Sequence, residues 1–249
     1  MANPTLFLNK NTYFCILENF FVFLDLDADR YISVQPAYTD SLCRQLGLKL
    51  PGNSGLAINA VDQQSLHDEF NKTKTDMVNS QLVTEDCREG KLAVPMEHTA
   101  VSQDANGYDI DRKVKLRFSH FFKLTKSVLK IVFRLKFRSI ITIVKNHRTL
   151  KARSHIDVKK AANRLNQSQI KEIVEVFKLL RPIYYTALDH CLADSLILAD
   201  FLSSYGLVTE VVVAVHGRPF RAHCWVQRGG TVLNDNREHV AQYTPILVF

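Results

Sequence analysis

At 249 residues, 46% apolar and 23% charged, the chain has the composition of an ordinary globular protein and the length of one large domain or two modest ones. Its five cysteines (Cys15, Cys43, Cys87, Cys191, Cys224) are odd in number, far apart and without a CxxC pair. That argues against a disulfide framework or a zinc ribbon and favours a reducing compartment. The net charge of +7 is unevenly spread: residues 1–111 carry 8 basic and 16 acidic residues, 112–153 carry 14 and none, and 154–249 carry 10 and 9. This is the pattern of an acidic module, a basic connector and a near-neutral module.

The opening MANPTLFLNKNTYF lacks the basic segment, apolar run and small-residue cleavage site of a signal peptide. The apolar region 114–144 is broken by Lys or Arg every few residues, short of the roughly 20 apolar residues that span a bilayer. The expected location is the cytoplasm.

FLNKNTYFCILENFFVFLDLDADRYISV (7–34) is dense in aromatic and β-branched residues, and DLDADR makes a polar turn, so this stretch predicts strands in a hairpin. Helical patterns follow at 36–46, 59–71 and 78–88, with PGNSG (51–55) breaking the chain between the first two. Strands plus three short helices fit a small winged-helix domain over 1–91. Residues 92–112 hold Pro95 and Gly107, lack periodicity and are expected to be a linker.

In 113–144 the residues Phe118, Phe121, Phe122, Thr125, Val128, Leu129 and Val132 recur at helical spacing, with Lys and Arg on the other face. The plain reading is an amphipathic helix with a solvated basic side; the sharper one is a docking surface for an acidic partner or an anionic membrane. Nucleic acid is not an expected partner, because the winged-helix segment that would enter a groove is itself acidic. An amphipathic helix over 157–180 stops at Pro182, and a second over 189–203 ends before Gly206. VTEVVVAV, FRAHCWVQ and TVLND then predict an antiparallel meander with turns at HGRP and RGG.

Chemistry concentrates in this last part. Cys191 lies near the start of the 189–203 helix, where free N–H groups and the helix dipole favour a thiolate and can hold an oxyanion. His223 is on a later strand, and a hairpin around RGG brings Asp235 beside it, giving Cys–His–Asp with the acid orienting the imidazole. Each residue alone has a plainer role: core cysteine, packed histidine, turn aspartate. Their order along helix, strand and turn is what selects the catalytic reading. A zinc site of His190, Cys191, His223 and Cys224 is disfavoured, because neighbours on a strand face opposite ways and neighbours on a helix diverge by about 100°. Cys224 should accordingly face away from His223 and pack in the core.

CLADSLILADFLSSYGLVTEVVVAVHGRPFRAHCWVQRGGTVLND resembles the C-terminal half of the leader peptidases of lasso-peptide biosynthesis. These are transglutaminase-like, papain-related cysteine proteases with the pattern C-L-x-x-S-L, then P-F-x-A-H-A-W-V-E, a glycine turn and an Asp. Cys191, His223 and Asp235 stand on the family's triad. Three departures lie nearby: Cys224 for Ala, Ala214 for Gly and Gln227 for Glu, which leaves open how the rim of the site meets substrate. The segment 13–46 resembles the recognition element of the same systems, a winged-helix domain that binds the leader as an added β-strand.

The resemblance implies an α+β protein with a leader-recognition domain (1–91), a linker (92–112) and a protease domain (113–249). The implied leader-binding residues are Phe21, Phe23, Leu24, Asp25, Leu26 and Tyr31. The implied partners are a lasso-peptide precursor, an ATP-dependent, asparagine-synthetase-like cyclase and an export transporter. Placement at the inner membrane would then come through those partners. No metal or cofactor is expected, any nucleotide dependence entering through the cyclase. A leader-binding scaffold without catalysis, and an acyltransferase using the same triad, remain as alternatives.

Overall fold

The aromatic-rich segment 7–34 forms strands because large and β-branched side chains pack well on a pleated surface. In the computed structural model, which describes residues 4–49, 60–105, 115–149, 165–185 and 190–249, it gives β1 (Phe7–Asn9), β2 (Thr12–Leu17), β3 (Phe20–Asp25) and β4 (Arg30–Ser33). β2, β3 and β4 form an antiparallel sheet with β3 in the middle. The DLDADR turn is held by the Asp25 carboxylate, which accepts from the N–H groups of Asp27 (3.0 Å) and Ala28 (3.2 Å) and pairs with Arg30 (3.3 Å). Phe14, Phe21 and Phe23 stack at centroid distances of 5.6 to 6.4 Å and anchor the core of this part.

The chain divides into two compact units, Met1–Glu97 and His98–Phe249. In the first, a 3-10 turn (Pro36–Tyr38) leads into α1 (Thr39–Leu46), which ends at Gly47 in the left-handed conformation (φ 70°). α2 runs Ala60–Asn79. The helix expected at 78–88 does not form. Gln81 turns the chain at φ 58°, and Val83–Thr84 (β5) and Gly90–Lys91 (β6) flank β1 instead. The reason is burial: Leu82 and Val83 point into the core, and the strand pairing satisfies their backbone. Gly90 permits the close strand approach, since a Cβ there would lie 2.4 Å from that of Phe7.

The second unit begins in the segment read as linker. Gln103–Asp104 (β7) forms the edge of a five-stranded sheet, parallel to β10. Helices α3 (Phe118–Phe137) and α4 (140–149) follow, and then α5 (Gln167–Leu180), which starts with a capping box between Asn166 and Gln169. The expected helix start at 157 lies outside the described residues. α6 (Cys191–Ser203) is buried on nearly all sides, as its apolar run LILADFL demands. It contacts α3 and α5 as well as strands β8 (Glu210–His216) and β9 (Arg221–Arg228).

β10 is only Thr231–Val232, shorter than the third meander strand expected over TVLND. After it come the short α7 (Arg237–Val240) and β11 (Thr244–Val248), which joins the sheet beside β8. The order is β11-β8-β9-β10-β7, antiparallel except at the β10–β7 edge.

Candidate active site

Cys191 is the first residue of α6, with His190 as N-cap, so the N–H groups of the first turn have no intrahelical acceptor. β10 covers only Gln227 and Arg228 of β9, and beyond them the outer edge of β9 has no partner strand among the described residues. The start of α6 and the chain after β10 dock there. The Cys224 N–H bonds the Cys191 sulfur, and the Cys224 carbonyl accepts from the Ser195 hydroxyl (3.0 Å). The Val226 N–H donates to the Asn234 side chain (2.8 Å), and the Val226 carbonyl accepts from the Leu233 N–H (2.9 Å). The backbone groups that a longer β10 would have used thus position the nucleophile instead.

A buried carboxylate locks this arrangement. Asp194, one turn after Cys191, accepts two bonds from Arg181 (3.0 and 3.1 Å), one from the Tyr185 hydroxyl (3.0 Å) and one from the Asn234 amide (3.1 Å). Asn234 also donates to Ser195 (3.0 Å). The network ties α6, the turn after α5 and the residue preceding Asp235 to one point. Tyr184, by contrast, bonds Thr125 of α3.

His223 and Asp235 meet as Nε2 to Oδ2 at 2.5 Å, and His223 is hydrogen-bonded to Cys191. With Nε2 held by Asp235, Nδ1 is the ring nitrogen left for the thiol. The hydrogen bond from His223 pulls the Cys191 thiol below its usual range against the opposing effect of burial, helped by the N–H groups of Cys224 and Leu192. Burial pulls His223 down, but Asp235 and Cys191 outweigh it and raise the imidazole to about 9. Burial pushes Asp235 up, and bonds from His223, the Asn236 N–H (2.8 Å) and His239 bring it below the ordinary carboxylate range. The arrangement favours a thiolate–imidazolium pair oriented by a carboxylate.

His239 was not singled out from the sequence. Its Nδ1 lies 2.9 and 3.1 Å from the two oxygens of Asp235, and its ring is 4.8 Å from that of His223. Tyr243 packs against both rings at 5.1 and 5.4 Å. The available signal was the i, i+4 spacing of Asp235 and His239 in DNREH, capped by Asn236. Among the described residues, His223, Asp235 and His239 form a group of metal-ligating types, with ligand atoms within 4.8 Å of one another. The hydrogen bonds between those same atoms account for the grouping without a cation.

Cys224 is fully enclosed, next to Ser195, and burial drives its thiol well above the usual range. Burial likewise pushes Cys15 up to about 12 and Cys43 up to about 11, which leaves Cys191 chemically apart from them. The three departures near the motif do not form a rim. Ala214, Cys224 and Gln227 are all buried, and Gln227 accepts from the Trp225 indole (3.0 Å) while donating to the Thr99 carbonyl (3.2 Å).

The residues implied for leader binding need correction. Phe21, Phe23, Leu24, Asp25 and Leu26 are buried, and the first four lie on the central strand β3, hydrogen-bonded on both sides. They build the core of the first unit and offer no edge. Tyr31 alone of the six lies on β4, a strand paired on one side only within its sheet.

Residues 128–248 match the transglutaminase-like superfamily, so the second unit carries a transglutaminase-like domain that contains Cys191, His223 and Asp235. Neither the curated proteins nor the solved structures gave a match to the chain.

Proposed function

We propose that the protein is a cysteine peptidase that removes the leader from a ribosomally made lasso-peptide precursor before a partner cyclase closes the ring. The observation that carries this reading is the alignment of Cys191 at a helix start with His223 and Asp235 in a transglutaminase-like domain. The superfamily includes both cysteine proteases and acyltransferases. The resemblance of CLADSL and RPFRAHCWV to lasso leader peptidases favours the first.

In the proposed reaction, the Cys191 thiolate attacks the scissile carbonyl and forms the C–S bond. First-turn N–H groups of α6 donate hydrogen bonds to the developing oxyanion. The C–N bond then breaks as the His223 imidazolium gives its proton to the leaving amine, which becomes the amino terminus of the core peptide. Neutral His223 next takes a proton from water. The resulting hydroxide cleaves the thioester, releases the leader carboxylate and restores Cys191. Capture of the leader belongs in this proposal to the sheet of the first unit, by strand addition at an edge such as β4. Buried Phe21 and Phe23 support that sheet rather than touch peptide.

The test is to incubate the full chain with the precursor encoded beside its gene and weigh the products. The expected products are free leader and free core, lost in Cys191→Ala and largely kept in Cys224→Ala. Equal loss in both variants would sink the assignment of the nucleophile. A leader amide formed with added cadaverine, in place of the free acid, would move the protein to the acyltransferases.

A further inference from the structure

The apolar pattern of α3 predicts a helix that buries its phenylalanines and turns its cations to water. The phenylalanines do the reverse and lie exposed. Leu124, Ser127, Val128 and Ile131 are the buried residues of α3, and Ser127 and Lys130 bond Asp200 of α6. Phe118, Phe122 and Leu129 are 89%, 70% and 67% exposed, with Phe133 and Phe137 also exposed. Spacings of 4, 7, 4 and 4 residues place these five on one side of the helix, with Phe121 and Val132 at its margin.

So large an uncovered apolar stripe is unusual on a monomer and marks a surface that meets something. Charge decides what. Exposed Lys126 and Lys136 stand among the aromatics, and Lys115, Arg117 and Arg138 are exposed at the two ends. The whole segment 112–153 contains no Asp or Glu. Cores of protein–protein interfaces are depleted in lysine, and a specific protein partner would need polar groups to set its register. Apart from Ser119, the stripe offers aromatic and aliphatic side chains and flexible cations. That combination suits a bilayer boundary, where rings enter the acyl region and lysines reach the phosphates. Like-charge repulsion along the helix is relieved beside an anionic surface.

We infer that the exposed face of α3 seats the second unit on an anionic lipid surface. The association is peripheral, for no helix among the described residues is long and apolar enough to cross a membrane. It stands independently of the chemistry at Cys191.

The experiment is co-sedimentation of the full chain with vesicles of mixed phosphatidylglycerol and phosphatidylcholine, or of phosphatidylcholine alone, at low and high salt. The chain is expected to sediment with the anionic vesicles only, and less at high salt. Phe122→Ser with Phe133→Ser should lower partitioning by about tenfold or more, as expected for two buried aromatic side chains lost. Lys126→Gln with Lys136→Gln should lower it by about fivefold per lysine and flatten the salt dependence. The Trp225 fluorescence of each variant in urea controls for folding. Absence of wild-type sedimentation overturns the inference. So does sedimentation that the phenylalanine pair leaves unchanged, which would put any lipid contact on another basic surface. A wild-type dimer dispersed by the phenylalanine pair, without vesicle binding, gives the face to a second copy of the chain and likewise overturns it.

Discussion

Replacing Asp194 by Asn tests whether the buried carboxylate holds the nucleophile in place. The side chain of Asp194 is 4% exposed and that of its partner Arg181 25% exposed. The carboxylate accepts from three donor groups: two bonds from Arg181, one from Tyr185 and one from Asn234. An amide keeps one acceptor oxygen and turns an NH2 toward groups that are themselves donors, so at least one of those bonds is lost and a guanidinium is left unpaired. Breaking a buried ion pair costs about 3–5 kcal/mol, and the partial exposure of Arg181 places this case at the lower end, about 3 kcal/mol. The chain has a single tryptophan, Trp225, buried in the second unit, so its fluorescence follows unfolding of that unit. With a urea slope of about 2 kcal/mol/M, the midpoint should fall by about 1.5 M. A second readout is iodoacetamide alkylation of Cys191, followed by peptide mass, which should slow as the helix start loosens against β9. A midpoint shift under about 0.3 M, equivalent to about 0.6 kcal/mol, with unchanged alkylation would refute the argument.

Two further outcomes follow from the site. Alkylation of Cys191 should already be fast well below the ordinary thiol range, because the thiolate is favoured by His223. Peptide cleavage should rise as pH passes the depressed thiol titration and fall as pH rises through about 9, where His223 loses the proton owed to the leaving amine. Cleavage that keeps rising past that point would remove His223 from the acid role. His239→Ala removes a donor from Asp235, so the carboxylate should titrate at higher pH and hold the His223 imidazolium less firmly. The thiolate that imidazolium favours is then weakened, and the acid limb of the cleavage profile, set by Cys191, should move upward. A loss of about 3–10-fold in kcat/KM is expected, against about a hundredfold or more for His223→Ala. An unshifted acid limb would make His239 a packing residue only.

Much of the candidate site was legible in the one-dimensional chain because its parts are local. A helix start places N–H groups at Cys191, a strand carries His223, and a glycine turn returns Asp235; each is written in a few neighbouring residues. Alternation along β9 also assigned Cys224 to the interior. What could not be read locally was which face meets which neighbour. The phenylalanine stripe of α3 is the one left uncovered, since another face of the helix, with Ser127 and Lys130 on Asp200, is the one that meets α6. Residues 78–88 have helical spacing, yet the demand of β1 for partners on both edges makes strands of Val83–Thr84 and Gly90–Lys91. Phe21 to Leu26 read as strand and turn in a hairpin, and only their burial, with β3 paired on both sides, makes them core and not an edge. The Asp194 network and the second histidine on Asp235 belong to the same class. They join residues 4 to 40 positions apart, and the bonds of Asp194 exist only once α6 has docked on the open edge of β9.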